Sequence, residues 1–243
     1  MIDKKDNVFS EPLSQIVDFK FDEKVADIFE DMLARSIPGY ALTISMIGVI
    51  ADRFFIPGTN CYDLGSSLGA ATITIRRKLA GEKGKIFAVD NSPQMIARSK
   101  NFISSDKSDF PVELVCADVR DIKIKNASIV ILNFTLQFIP PEGRKELLQN
   151  IFNGLKKGGI VLISEKIKFD NEEEEKLMVD LYYDFKRLNG YSELEISQKR
   201  DALENVMIID SLAKHQRRAE EIGFSKFFLW FRTFNFVSYL LIK

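Results

Sequence analysis

Cys61-Tyr62-Asp63-Leu64-Gly65-Ser66-Ser67-Leu68-Gly69-Ala70-Ala71 decides the fold: an apolar run closes on an acid, a loop of small residues follows, and helix-forming residues take over. Gly65 and Gly69 let backbone approach a ligand closely, while Ser66 and Ser67 keep the loop open. Such a strand-loop-helix turn either cradles a nucleotide-like ligand or is a purely structural bend. The dinucleotide fingerprint needs glycine at three positions, but counting from Gly65 those positions hold Gly65, Ser67 and Ala70. No Gly-Lys-Ser/Thr follows for a triphosphate loop either.

Outward from this turn, strand-like runs at Thr59–Leu64, Lys85–Asp90, Val112–Asp118, Ser128–Phe134 and Gly159–Lys166 alternate with helix-like Ala70–Leu79, Gln94–Ser104 and Pro141–Leu155. This rhythm predicts an α/β fold, a doubly wound and mostly parallel sheet with helices on both faces. Ahead of it, Glu23–Ser36 and Tyr40–Phe55 read as two helices split by Ile37-Pro38-Gly39, packed beside the sheet or over its ligand edge. Residues 170–222 read as a helical insertion with a turn at Leu188-Asn189-Gly190, and Glu172–Glu175 as a solvated helix face. Aromatic and β-branched Phe224–Lys243 predicts an antiparallel hairpin closing the sheet. The expectation is one domain over 1–243, with an N-terminal helical segment at 1–56 and the insertion at 170–222.

Composition excludes several function classes. Thirty-four Lys plus Arg against 35 Asp plus Glu give a net charge of −1, so bulk charge does not favour nucleic acid. No apolar run approaches the ~18 residues that span a bilayer, and the N-terminal MIDKKDNVFSEPLS has no apolar signal core, so a cytoplasmic protein without membrane contact is expected. Cys61 and Cys116, each in an apolar run, read as two buried reduced thiols. The single histidine, His215, sits in charged LAKHQRRAEE and reads as a surface residue, which leaves no material for triads or a His-ligated metal site. The chemistry must then rest on a bound cofactor, carboxylates, Arg, Tyr or backbone groups.

The strand tips carry the remaining signals. An acid two positions before the first glycine resembles the first motif of class I S-adenosylmethionine-dependent methyltransferases. Asp90 at the second tip suits a ribose diol, or else caps the following helix. Asp118 at the third suits an adenine amino group, or is an ordinary loop acid. Asn133 at the fourth needs partners in so apolar a run, from backbone or from ligand.

The blocks Arg35-Ser36-Ile37-Pro38-Gly39-Tyr40, Asp63 through Thr72, Asp90-Asn91-Ser92-Pro93, Asn133-Phe134-Thr135-Leu136-Gln137-Phe138 and Phe185 through Arg200 together resemble the carboxy-S-adenosyl-L-methionine synthases of the tRNA wobble-uridine 5-oxyacetic acid pathway. The resemblance runs from about Phe9 to the C-terminus, and its last block is the most specific, because ordinary methyltransferases lack it. One departure is Ser66, where the family usually carries Cys; both side chains are small. The resemblance implies that S-adenosylmethionine and prephenate give carboxy-S-adenosylmethionine and phenylpyruvate. In that scheme the methyl carbon is deprotonated to an ylide that captures carbon dioxide lost from prephenate, and the released prephenate hydroxyl is the base. It also implies that Tyr40, Gly65, Ser66, Ser67, Asp90, Asn91, Asp118, Val119, Asn133 and Arg200 bind the carboxylated cofactor, that Arg200 anchors its carboxylate, that no metal is used, and that the chain forms a homodimer in which Arg200 reaches the neighbouring site. The alternatives to it are a small-molecule or tRNA methyltransferase and a non-enzymatic carrier that delivers the cofactor. Arg200 has a bland reading too, an exposed charge paired with Glu204.

Overall fold

The computed structural model describes residues 5–13 and 17–243, so the charged N-terminal stretch lies partly outside the described residues. Two helices come first, α1 (Glu23–Ser36) and α2 (Tyr40–Phe54). The alternating core follows as β1 (Thr59–Leu64), α3 (Ala70–Lys78), β2 (Gly84–Asp90), α4 (Pro93–Ser105), β3 (Val112–Cys116), β4 (Ala127–Asn133), α5 (Arg144–Gly154) and β5 (Leu155–Lys168). The insertion holds α6 (Glu172–Leu188), α7 (Glu193–Leu203), the two-residue β6 (Asp210–Ser211) and α8 (Leu212–Ile222), and the chain closes with β7 (Lys226–Thr233) and β8 (Phe236–Ile242). Strand order is β3-β2-β1-β4-β5-β8-β7, with β6 beside β5; β1 to β5 run parallel, while β8 is antiparallel to β5 and to β7.

Residue alternation along the strands feeds two cores. Tyr62, Leu64, Val130, Leu132, Val161 and Ile163 pack with α5 and α8 through Leu147, Ile151 and Ile222. Cys61, Ile129, Ile131, Ile160 and Leu162 face the other way, onto Ile47 and Ala51 of α2 and Ala71 and Ile75 of α3. Period two in each strand therefore puts helices on both faces of a fully buried centre. Element boundaries shift modestly from the sequence reading. The third strand ends at Cys116, two residues before Asp118; Pro141–Gly143 is a 3-10 turn before α5, and β5 begins at Leu155. Of the acidic run, Glu172 and Glu173 are solvated, but Glu174 pairs with Arg232 at 2.7 Å and Glu175 accepts from the Phe169 N–H at 2.8 Å, tying α6 to its neighbours. All four sit at the helix N-terminus, where the dipole favours anions.

Two sequence expectations fail. Cys61 is buried, but Cys116 is exposed because β3 is an edge strand and this residue ends it. His215 is buried, not on the surface, at 2 % exposure. The charged flanks conceal a helical stripe: His215, Arg218, Ala219 and Ile222 are the buried face of α8, at i, i+3, i+4 and i+7. Its Nδ1 meets the Tyr239 hydroxyl at 2.9 Å and Arg218 at 3.3 Å.

Burial, with Arg218 beside it, pushes the His215 imidazole down to about 4. In the unfolded chain a histidine titrates near 6.5. The folded state thus holds this ring neutral; its stabilising contribution is present above about pH 6.5 and is lost as pH falls toward 4. A shift of this size corresponds to roughly 3 kcal/mol. Urea midpoints measured between pH 7 and 4 should therefore fall less steeply for His215→Gln than for the wild-type chain; parallel profiles would contradict this account.

Candidate functional site

At the carboxyl ends of the parallel strands, where β1 lies between β2 and β4, the order of connection reverses and a crevice opens. It holds a cavity of about 560 Å³. Its floor comes from the loops after β1, β2, β3 and β4, and its roof from α1, Tyr40 and the aromatic rings of Phe19 and Phe21. The N-terminal helices thus do both things foreseen: α1 covers the ligand edge while α2 packs on the sheet face.

The loop after β1 is held open by backbone geometry. The Gly65 and Ser66 N–H groups both donate to the Val89 carbonyl, at 2.8 and 2.9 Å, and Gly69 closes the turn by donating to the Ser66 carbonyl at 2.8 Å. Gly65 has φ +83°, and a Cβ there would stand 2.3 Å from Thr135 Oγ1, so only glycine fits between the β1 and β4 loops. Two non-glycine residues of the cavity wall, Ser67 and Phe134, also take positive φ, +51° and +59°. Such conformations are disfavoured and recur where a site dictates the backbone.

Asp90 joins the second strand tip to this loop. One carboxylate oxygen accepts from the Ser67 N–H at 2.8 Å, the other from the Ser92 N–H at 2.9 Å. The α4 cap is Ser92, whose side chain accepts from Met95, so Asp90 is not the helix cap. Each Asp90 oxygen retains a second lone pair for a ligand hydroxyl. Burial raises its pKa against those two N–H bonds. Asp63, fully buried on the cavity wall, accepts from Thr72 Oγ1 at 2.6 Å, and burial pushes it up to about 6. Asp118 caps the 3-10 turn Val119–Asp121 and is gripped by Arg120 Nε and Nη2 at 2.9 and 2.7 Å, which holds its carboxyl below the usual range. The Tyr40 phenol is pushed up, first by burial and then by Asp63 and Glu30.

Among the described residues, two buried atoms on the wall have no hydrogen-bond partner: Ser66 Oγ and Asn133 Oδ1. A buried polar group left unpaired costs about 1–3 kcal/mol. A ligand bringing hydroxyl or amine donors would complete both. Nine of the ten residues singled out from sequence line this cavity.

Arg200 does not. It sits on α7 with its side chain 60 % exposed, bound to Asp201 at 3.0 Å and not to Glu204. It lines a second cavity of about 420 Å³, which shares Lys166, Tyr182, Lys199, Leu203 and Met207 with the first. These shared residues and the roof aromatics escaped assignment from sequence, while Asp63 was read there only as the acid of the glycine-loop motif. The available signal was spacing: Tyr182 and Lys186 are four apart and form the buried residues of α6.

Residues 62–159 match a methyltransferase domain family model. A carboxy-S-adenosyl-L-methionine synthase from Vibrio campbellii is 55% identical over 238 residues, covering 98% of this chain and 97% of that protein. One from Trichlorobacter lovleyi is 52% identical over 244 residues, covering all of both chains. Among solved structures, a Methanococcus maripaludis protein assigned as an S-adenosyl-L-methionine-dependent methyltransferase superposes with a TM-score of 0.58 at 25% identity, covering 96% of this chain and 97% of that one.

Proposed function

Because this chain belongs to the carboxy-S-adenosyl-L-methionine synthase family, whose members are transferase-type enzymes, we propose that it converts S-adenosyl-L-methionine and prephenate to carboxy-S-adenosyl-L-methionine, phenylpyruvate and water. The product would supply the carboxymethyl group for 5-oxyacetyl modification of tRNA wobble uridine, in the cytoplasm. The observation that carries this reading is the end-to-end match, which includes the α6–α7 insertion as well as the cofactor-binding core.

When bound, S-adenosyl-L-methionine supplies an acidified methyl group; the protein's part is to place it and to exclude water. Asp90 accepts the ribose hydroxyls, with Asn91 beside it. Asp118 and Val119 meet the adenine, the first by hydrogen bond and the second by apolar contact. Gly65, Ser66 and Ser67 let the ligand lie against the loop, and Ser66 Oγ and Asn133 Oδ1 gain the partners they lack within the fold. Tyr40 and Asp63 line the same wall, and the Asp63 carboxylate would favour the positive charge of a bound sulfonium. None of these groups has to act as the base: as the donor loses carbon dioxide and its ring C–O bond breaks, the departing hydroxide would take the methyl proton and leave as water. Arg200, outside this cavity, serves the partner protomer of a homodimer.

The test is product analysis. Incubation with S-adenosyl-L-methionine and prephenate should give a cofactor heavier by one carboxyl group in place of a methyl hydrogen, with phenylpyruvate in equal amount; S-adenosylhomocysteine and a methylated acceptor would overturn the reading. Within it, Asp90→Asn exchanges a two-oxygen acceptor for one oxygen and a donor. Cofactor binding measured by calorimetry should weaken about 10- to 100-fold, the loss of roughly 1–3 kcal/mol; unchanged affinity would remove Asp90 from the site.

A further inference from the structure

Three lysines converge beside the cofactor cavity with fewer partners than their burial calls for. Lys186 and Lys199 are 3 % and 6 % exposed, and Lys166 is half-buried. Their ammonium groups rest on two tyrosine rings: Lys166 lies 4.7 Å from the Tyr182 centroid, Lys186 lies 5.9 Å from Tyr182 and 5.0 Å from Tyr191, and Lys199 lies 5.3 Å from Tyr191. Lys199 reaches Asp6 at 3.4 Å and Ser36 Oγ at 3.1 Å. Among the described residues, Lys166 and Lys186 have no carboxylate within ion-pair distance.

The acids nearby are committed elsewhere. Asp6 also accepts from the Tyr191 hydroxyl, Glu175 accepts from the Phe169 N–H at 2.8 Å, and Glu195 accepts from the Ser192 N–H at 2.7 Å in the α7 capping box. Burying an ammonium without an anion is costly, and an apolar side chain would serve the fold better. Burial and then its neighbours Lys199 and Lys166 push the Lys186 ammonium down to about 7, and burial brings Lys166 to about 8. A cluster of this kind persists where an anion completes it.

All three lysines and Arg200 line the second cavity, and Lys166 and Lys199 also face the first. We propose that Lys166, Lys186 and Lys199 form the docking site for the carboxylates of the carboxyl donor, a small dicarboxylate dianion held next to the cofactor methyl group. This rests on the donor reading given above. Three point charges, unlike one fixed fork, suit a ligand whose two carboxylates point in different directions and one of which departs during the reaction.

Lys186→Met and Lys166→Met test it. Each should raise the KM for prephenate at least tenfold while leaving S-adenosyl-L-methionine affinity within twofold, and Lys186→Arg should recover much of the loss. The urea midpoint of Lys186→Met should equal or exceed the wild-type value, because a buried charge without a partner has been removed. An unchanged KM in both variants, or a cofactor affinity that falls in step with KM, would overturn the site. Should the wild-type chain make no carboxylated product, the donor reading fails by itself. Calorimetric titration of prephenate into protein loaded with S-adenosylhomocysteine then still reads the lysines: binding lost in both variants supports the anion site, and binding unaffected in both removes it.

Discussion

Asp210→Ala should lower the unfolding free energy by about 3–5 kcal/mol, the cost of breaking a buried ion pair from one side. Asp210 holds Arg144 at 2.7 Å, Arg218 at 2.5 Å and Lys214 at 2.7 Å; the Arg144 side chain is fully buried and that of Asp210 is 3 % exposed. Removing the carboxylate strands two guanidinium groups between α5, α8 and the sheet. The damage should reach the candidate site, since Arg144 also donates to the carbonyls of Ile139 and Gln137, both lining the first cavity. Burial alone would raise the Asp210 carboxyl, but the hydrogen bonds from Lys214, Arg218 and Arg144 hold it well below the usual carboxylate range. Its stabilising contribution is accordingly present above the unfolded value near 3.9 and lost only as pH falls through the lower folded value. Urea unfolding at pH 7 checks the main claim; a loss under about 1 kcal/mol would show that the arginines find other partners.

The strand-tip wall of the first cavity was legible because its signals are local. A strand-glycine loop-helix turn, an acid at the tip of β2 and an Asn ending β4 are all visible in short windows, and the parallel sheet order brings those tips to one crevice. What stayed hidden depends on contacts distant in sequence. Lys186 and Lys199 look like solvated charges in α6 and α7 until the two helices and the Asp6 segment fold onto Tyr191. His215 looks exposed until α8 meets Tyr239, 24 residues later. Cys116 errs the other way: its run is apolar, but among the described residues β3 is the last strand on its side of the sheet. The roof aromatics Phe19 and Phe21 lie in a segment without regular secondary structure, where periodicity carries no information.

Arg200→Ala should weaken binding of carboxy-S-adenosyl-L-methionine by roughly 2–5 kcal/mol, about 30- to 5,000-fold, while leaving S-adenosyl-L-methionine affinity nearly unchanged. Within its own chain Arg200 makes weak contacts: it lies by the Tyr183 hydroxyl, and its exposed pair with the adjacent Asp201 contributes at most about 1 kcal/mol, less after solvent screening. A guanidinium that clamps a carboxylate shielded from water is a different case, with two parallel charge-assisted bonds. Arg200→Lys keeps the charge without the fork and should recover only part of the loss. Equal losses for both ligands, or none for either, would defeat the anchor role. Mixing tests where the anchor acts. In a dimer of Arg200→Ala with Asp90→Ala, an anchor working across the interface leaves one site with both residues intact. Random exchange of protomers should then restore up to about one quarter of wild-type turnover, since half of the dimers are mixed and each has one complete site. An anchor serving its own chain restores nothing, because every site in the mixture lacks one residue or the other.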